Sequence, residues 1–205
     1  VTQVLVNEKD EAFQTPTKPI GPFLDRAEAQ RREKELGWNI LEQKRGWRRI
    51  VPSPQPIKVI QRHMIRDAAR AGHIVVACGG GGIPIIEKPD GQYAGIEAVI
   101  DKDLTSSVLG ANIGAGLLII LTAVPHVYVN FGKPDQRPLG AVTVEEIERL
   151  YDEGHFPPGS MGPKIDAALA FVTGGGVSTR RRAIITDMHN LADALMGHGG
   201  TIISP

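Results

Sequence analysis

Short runs of aliphatic and β-branched residues, each leading into a turn and then a stretch of helical spacing, constrain this chain more than any other feature. Ile74–Cys78, Leu117–Thr122 and Ala183–Thr186 are continuous apolar runs of the kind found in strands covered on both faces. Ahead of the first, Val59–Ala71 has apolar residues at positions 60, 64, 65, 68 and 69 and meets Gly72 as a stop. Val144–Asp152 and Pro163–Val172 also have helical spacing. Ile83–Glu87 and Gln92–Ala94 predict a hairpin through Pro89-Asp90-Gly91. Alternating strands and helices predict an α/β fold with a mainly parallel sheet.

Residues 13–56 interrupt this rhythm. Asp25 is suited to N-cap a helix running to Leu36, where Gly37 can close it. Trp38–Gln43 and Trp47–Val51 then read as a hairpin around Lys44-Arg45-Gly46. Prolines fence the unit at 16, 19 and 22 and again at 52, 54 and 56. The expectation is a small protruding α+β subdomain, either a lid over a site or a decorative insertion.

Composition narrows the function classes. A chain of 205 residues can bury a substantial core. With 23 basic and 23 acidic residues the formal net charge is zero, which argues against a nucleic-acid footprint. Arg180-Arg181-Arg182 beside an apolar run is expected to solvate a helix-to-strand connection. The single cysteine, Cys78, excludes an intramolecular disulfide, suits a reducing compartment and reads as a buried structural thiol. No apolar run reaches membrane-spanning length. The chain opens on Val1–Val6, a strand-like run without an initiator methionine, so further sequence is expected upstream.

Three motifs could carry chemistry. Asp101-Lys102-Asp103 follows the apolar Ile96–Ile100 and brackets one ammonium with two carboxylates. These are either a lysine held for a phosphoryl group or three solvated loop charges. Gly79-Gly80-Gly81-Gly82, at the expected C-terminal end of the Ile74–Cys78 strand, can bring backbone amides close to an anion. It is neither a dinucleotide fingerprint nor a Walker A loop. Gly159-Ser160-Met161-Gly162-Pro163-Lys164 introduces a helix, with Ser160 as a cap, Pro163 in the first turn and Lys164 as a cation beside phosphate-binding amides. Tyr128 and the residues after it could hold a base or pack in the core. Histidines and the cysteine show no metal-ligand spacing.

Taken together, six segments resemble carbamate kinase: Thr15–Phe23, Arg48–Pro54, Gly79–Pro84, Glu97–Leu104, Asn130–Gln136 and Gly154–Lys164. Their order and approximate spacing match over nearly the whole chain. The resemblance implies the amino-acid-kinase fold, a three-layer αβα sandwich with a protruding lid at residues 13–56. It divides the chain into the end of an N-terminal substrate region (1–12), the lid, and a nucleotide-binding region (57–205). It further implies reversible phosphoryl transfer between carbamoyl phosphate and ADP, giving ATP and carbamate, with Mg2+ accompanying the nucleotide. Lys102 and Lys164 would be the cations on the transferring group, oriented by Asp101 and Asp103, and Lys18 would reach carbamoyl phosphate from the lid. Thr122, Tyr128, Lys133 and the turn Gly159, Ser160, Met161 and Gly162 would contact the nucleotide. A cytoplasmic homodimer in arginine or purine-derivative catabolism, without nucleic-acid or membrane partners, is implied in the same way.

Two departures stand out. The family's N-terminal strand and Gly-Gly-Asn substrate loop have no counterpart here, and Ala123 stands where the wider superfamily often has aspartate. A related acyl-phosphate kinase and a non-catalytic nucleotide-binding module therefore remain as alternatives. The 205-residue chain alone is expected to bind ADP weakly and turn over poorly. Isothermal titration with ADP and a carbamoyl-phosphate-dependent ATP assay check this, and ordinary kinase rates from this chain would contradict it.

Overall fold

The computed structural model describes residues 1–158, 160–174 and 181–205. Strand β1 (Gln3–Val6) leads into a short 3-10 turn at Glu11–Phe13 and then into a separate unit. That unit comprises β2 (Lys18–Leu24), α1 (Arg26–Leu36), β3 (Asn39–Gln43) and β4 (Gly46–Val51). The chain returns through β5 (Pro56–Val59), which pairs antiparallel with β1, Val4 opposite Val59. The excursion thus leaves and re-enters between two neighbouring strands. Its sheet runs β2-β4-β3. Asp25 caps α1 by accepting the Glu28 N–H at 2.8 Å, and Gly37 ends it in the left-handed conformation.

After α2 (Arg62–Arg70) come β6 (Ile83–Glu87) and β7 (Tyr93–Gly95), the expected hairpin. Next are α3 (Lys102–Ile113), β8 (Leu117–Leu121), β9 (Tyr128–Val129), β10 (Arg137–Pro138) and β11 (Ala141–Thr143). The chain closes with α4 (Val144–Asp152), α5 (Gly162–Thr173), β12 (Arg182–Thr186), α6 (Leu191–Leu195) and β13 (Thr201–Ser204). Two four-stranded sheets form, ordered β5-β1-β6-β7 and β11-β13-β12-β8. The α/β character is as expected; the second sheet is mainly parallel, with β11–β13 and β8–β12 parallel, while the first is mixed. β1 runs parallel to β6 and β8 to β12, whereas β5–β1 and β12–β13 are antiparallel.

Each sheet has its own core. Val4, Val6, Val59, Ile65 and Ile100 pack beneath the first, and Ile120, Ile147, Ile165, Phe171, Ile185 and Ile203 beneath the second. Burying an aliphatic or aromatic side chain of this size contributes roughly 1.5–3 kcal/mol. Helix α3 joins the two halves, touching α2 and β5 on one side and α5 and β8 on the other. Its first turn is therefore held from both sides, and that turn is Asp101-Lys102-Asp103.

The structure corrects several expectations. Ile74–Cys78 is not a covered strand; it forms no ladder among the described residues, and Ile74 and Val76 are 98% and 95% exposed. An apolar run becomes a strand only where another strand offers it backbone partners. Helix α2 starts at Arg62 rather than Val59, because Pro56–Val59 is taken by the pairing with β1. Within the arginine triplet, Arg181 is 1% exposed, so it does not solvate the connection; Arg180 lies outside the described residues. Cys78 is buried as expected, and burial pushes its thiol pKa up.

The glycine turn owes its composition first to packing. Gly81 has φ +135°, and a Cβ there would lie 2.1 Å from the Ile100 carbonyl oxygen. The Thr105 hydroxyl donates to the Gly81 carbonyl at 2.9 Å, fixing the turn against the start of α3. Gly80 has open space where a Cβ would go. Gly81→Ala is therefore expected to destabilise the fold by about 3 kcal/mol or more, and Gly80→Ala by less than ~1 kcal/mol. Denaturant titration of the two variants checks the contrast.

Candidate active site

Helix α3 begins at Lys102 because Asp101 caps it. The Asp101 backbone is extended, and its Oδ1 accepts the Asp103 N–H at 2.8 Å. Oδ2 of the same carboxylate accepts Lys18 Nζ at 2.5 Å, from the first residue of β2. Asp103 is also buried, and its Oδ2 accepts Lys164 Nζ at 2.8 Å and Lys102 Nζ at 3.3 Å. Three lysines from three separate elements therefore meet two carboxylates at one helix start. Within this cluster one positive charge is left over, and the positive end of α3 adds to it. The Lys102 side chain is 56% exposed, against 15% for Lys164, so Lys102 is the freest to meet an incoming anion.

Burial opposes the ionised form of Asp101. The Lys18 hydrogen bond, the Asp103 N–H and the nearby Lys18 and Lys102 charges outweigh it, and the carboxyl pKa ends below its ordinary value. At Asp166, two residues beyond Lys164, burial pushes the carboxyl up; the Tyr151 hydroxyl, donating at 3.3 Å, works the other way, and Asp101 adds to the rise.

Beside the cluster lies a mostly apolar cavity of about 260 Å³, lined by Thr122, Ala123, Val124, Tyr128, Phe131, His155, Phe156, Pro157, Ser160, Met161 and Lys164. Tyr128 and Phe131 stand 5.8 Å apart between centroids and form an aromatic wall. Lys164 belongs to both the cavity and the Asp103 cluster, so a flat apolar group in the cavity would have its charged end directed at the lysines. Gly79, Gly80 and Gly82 line a second, open hollow of about 500 Å³ with Thr2 and Cys78.

Most sequence-predicted site residues come together here. Lys18, Asp101, Lys102, Asp103 and Lys164 form one cluster, and Thr122, Tyr128, Ser160 and Met161 line the cavity. Gly162 is the first residue of α5, and Gly79–Gly82 abut the start of α3 through Gly81. The division of labour differs from the expectation: Asp103 holds both Lys102 and Lys164, while Asp101 holds Lys18. Lys133 is not in the cavity wall; it sits in the following turn, where its N–H donates to the Asn130 carbonyl. Ser160 does not cap α5, whose cap position is Met161 with no side-chain bond, and Pro163 takes the second helical position. Gly159 lies outside the described residues.

Sequence reasoning missed the cavity roles of His155, Phe156 and Pro157. His155 Nε2 sits 3.3 Å from Glu153, and its ring faces the cavity as part of the Gly-His-Phe-Pro-Pro turn. Aromatic and proline residues clustered just before a helix with Lys164 in its first turn were the available signal. Also unforeseen was a second tie between the excursion and the rest of the chain. Arg49 lies over the Trp38 ring at 4.8 Å and pairs with Glu97 at 2.5 Å, while the Val99 N–H donates to the Pro52 carbonyl.

Magnesium, implied by the resemblance, finds no protein cage among the described residues. No group of three or more His, Cys, Asp or Glu suited to a metal occurs among the described residues, and Asp101 and Asp103 already accept from lysines.

The family model for the amino acid kinase family matches residues 11–187. The chain belongs to the amino acid kinase family. Its sequence is 48% identical to the carbamate kinase of Thermoplasma volcanium over 205 residues, covering 100% of this chain and 65% of that protein. Against the carbamate kinase of Thermococcus kodakarensis it is 48% identical over 202 residues, covering 98% and 62%. The structure of carbamate kinase from Giardia lamblia bound to AMP-PNP superposes with a TM-score of 0.87 at 40% identity, covering 100% of this chain and 64% of that one. The chain thus spans less than two thirds of the length of these relatives.

The lowered Asp101 pKa has a signed consequence. The unfolded carboxyl takes up protons first as pH falls through its ordinary value of 3.8. The contribution of Asp101 to stability is therefore complete above that value and is lost as pH falls through the lower folded pKa. Thermal melts of wild type and Asp101→Asn across this acid range are expected to converge as the pH drops, wild type being the more stable near neutrality.

Proposed function

We propose that the protein acts as a carbamate kinase, moving a phosphoryl group reversibly between carbamoyl phosphate and ADP to give ATP and carbamate. The observation that carries this reading is the meeting of Lys18, Lys102 and Lys164 on Asp101 and Asp103 beside an apolar cavity. The likeness to carbamate kinases over the whole chain supports it.

In this reading the adenine of ATP or ADP lies in the cavity against Tyr128 and Phe131, and its phosphates reach the start of α5 and Lys164. Phosphoryl transfer of this kind develops charge on equatorial oxygens and calls for positioned cations more than for an acid or base. Lys102 and Lys164 supply those cations, and Asp103 holds both in place before the substrate arrives. Lys18, carried by the excursion, meets the carbamoyl phosphate or carbamate end and exchanges its Asp101 contact for the substrate. Residues 13–56 then serve as the lid, 57–205 as the nucleotide region and 1–12 as the end of a substrate region. Magnesium, where it accompanies the nucleotide, would add positive charge at the phosphates.

A cytoplasmic homodimer in arginine or purine-derivative breakdown belongs to the same proposal and rests on the resemblance alone. Among the described residues no helix is long and apolar enough to cross a membrane.

The test is carbamoyl-phosphate-dependent ATP formation by the full-length protein. In that protein Lys102→Ala is expected to lower the turnover number by about 100-fold or more while changing ADP affinity little. An unchanged turnover number contradicts the role given to Lys102. ADP binding without any phosphoryl transfer by the wild type would instead indicate a nucleotide-binding module.

A further inference from the structure

We infer that Arg181 is a positioning residue, setting the separation of Lys102 and Lys164 by tying together the far ends of the two helices that carry them. The functional half of this inference rests on the phosphoryl-transfer reading above; the mechanical half does not.

Helices α3 and α5 are each 12 residues long and pack against one another. At about 1.5 Å per residue, each spans roughly 18 Å. Their starts are joined by the Asp103–Lys164 pair. Their ends are joined by one guanidinium. Arg181 Nη2 donates to the Ala111 carbonyl at 3.3 Å, and Nη1 donates to the Phe171 carbonyl at 3.3 Å and the Gly174 carbonyl at 2.5 Å. Ala111 and Phe171 are each the third residue from the end of their helix, where carbonyls lack a partner within the helix, although the Ala111 carbonyl also accepts the N–H of the capping Gly114 at 3.3 Å. The cation therefore sits at the negative ends of both helices at once.

The surroundings show a built contact rather than a stray surface charge. Arg181 is 1% exposed, and its guanidinium lies 5.4 Å from the centre of the Phe171 ring. Among the described residues its partners are carbonyl oxygens rather than a carboxylate, so helix ends supply part of the compensation that a buried charge requires, while Nε is buried without a partner there. Gly110 admits the close approach, because a Cβ there would lie 2.9 Å from the Phe171 ring. A lysine could not reproduce this, since its single ammonium lacks the planar fork that reaches two helices.

The helices also touch along their length, with the Phe171 ring against Gly110, and Arg181 fixes the far end of that contact as Asp103–Lys164 fixes its start. Lys102 and Lys164 lie at that start, and a displacement of about 1 Å at reacting groups can cost on the order of 100-fold in rate. Arg181 thus acts on the chemistry from the opposite end of the helix pair, without touching the nucleotide cavity.

The experiment uses the full-length protein with Arg181→Met, Arg181→Lys and, as a control, Ile147→Ala, a wholly buried core residue on α4. Arg181→Met is expected to lower kcat about 10- to 100-fold with the nucleotide KM changed less than about threefold, and Arg181→Lys to recover only part of that loss. The control, compared at equal loss of thermal stability, keeps kcat within about twofold. Should Arg181→Met fail to fold, Arg181→Lys against the control makes the same comparison. Independently of activity, a cycle of Asp103→Asn and Lys164→Met, read by thermal midpoints, is expected to be non-additive with Arg181 present and close to additive in the Arg181→Lys background. Equal kcat losses in the control, or an unchanged cycle, overturn the inference. If the full-length wild type transfers no phosphoryl group, the functional reading fails and the cycle alone decides the role of Arg181.

Discussion

The shared carboxylate of Asp103 is the contact on which the rest of the site depends. One buried oxygen accepts from Lys102 in its own helix and from Lys164 in α5, so two like charges are held side by side. Like charges at that spacing repel, and only a counter-charge between them in a partly desolvated setting keeps both near the same point. The arrangement costs desolvation and side-chain freedom when the protein folds. In return, little rearrangement remains when a phosphoryl group arrives.

Everything around Asp103 serves to fix its place. Asp101 starts the helix and receives Lys18 from the excursion, so the cap of α3 also docks β2. Gly81 brings the glycine turn against Ile100, and Thr105 locks that turn from inside α3. The Arg49–Glu97 pair and the Val99–Pro52 bond attach the root of the excursion to the segment leading into Asp101. Short-range capping, a steric glycine and two ion pairs thus converge on one helical turn.

Much of this was legible in the sequence, for stated physical reasons. The Asp25 cap, the Gly37 stop, the Pro-Asp-Gly hairpin and helix α4 rest on local rules, and the structure has them where expected. The cluster Lys18, Asp101, Lys102, Asp103 and Lys164 was legible only through joint resemblance, since no spacing rule brings residue 18 to residue 101. The failures are those of non-local context. Ile74–Cys78 has the composition of a buried strand, but strand pairing depends on a neighbour that composition cannot reveal. Arg181 looked like a solvated charge because its partners are backbone carbonyls, which leave no mark in a sequence. Lys133 sat in a family motif, yet it falls in the turn after Phe131, outside the cavity wall.

The central claim is that Lys102 and Lys164, held by Asp103, together contact the group in transfer. The most direct measurement is a crystal structure of the full-length protein with ADP and a planar metal-fluoride mimic of the phosphoryl group. The account predicts both Nζ atoms within about 3 Å of the mimic, with Lys164 still bonded to Asp103. A mimic bound away from both lysines, or Asp103 turned to a metal ion instead, would contradict it.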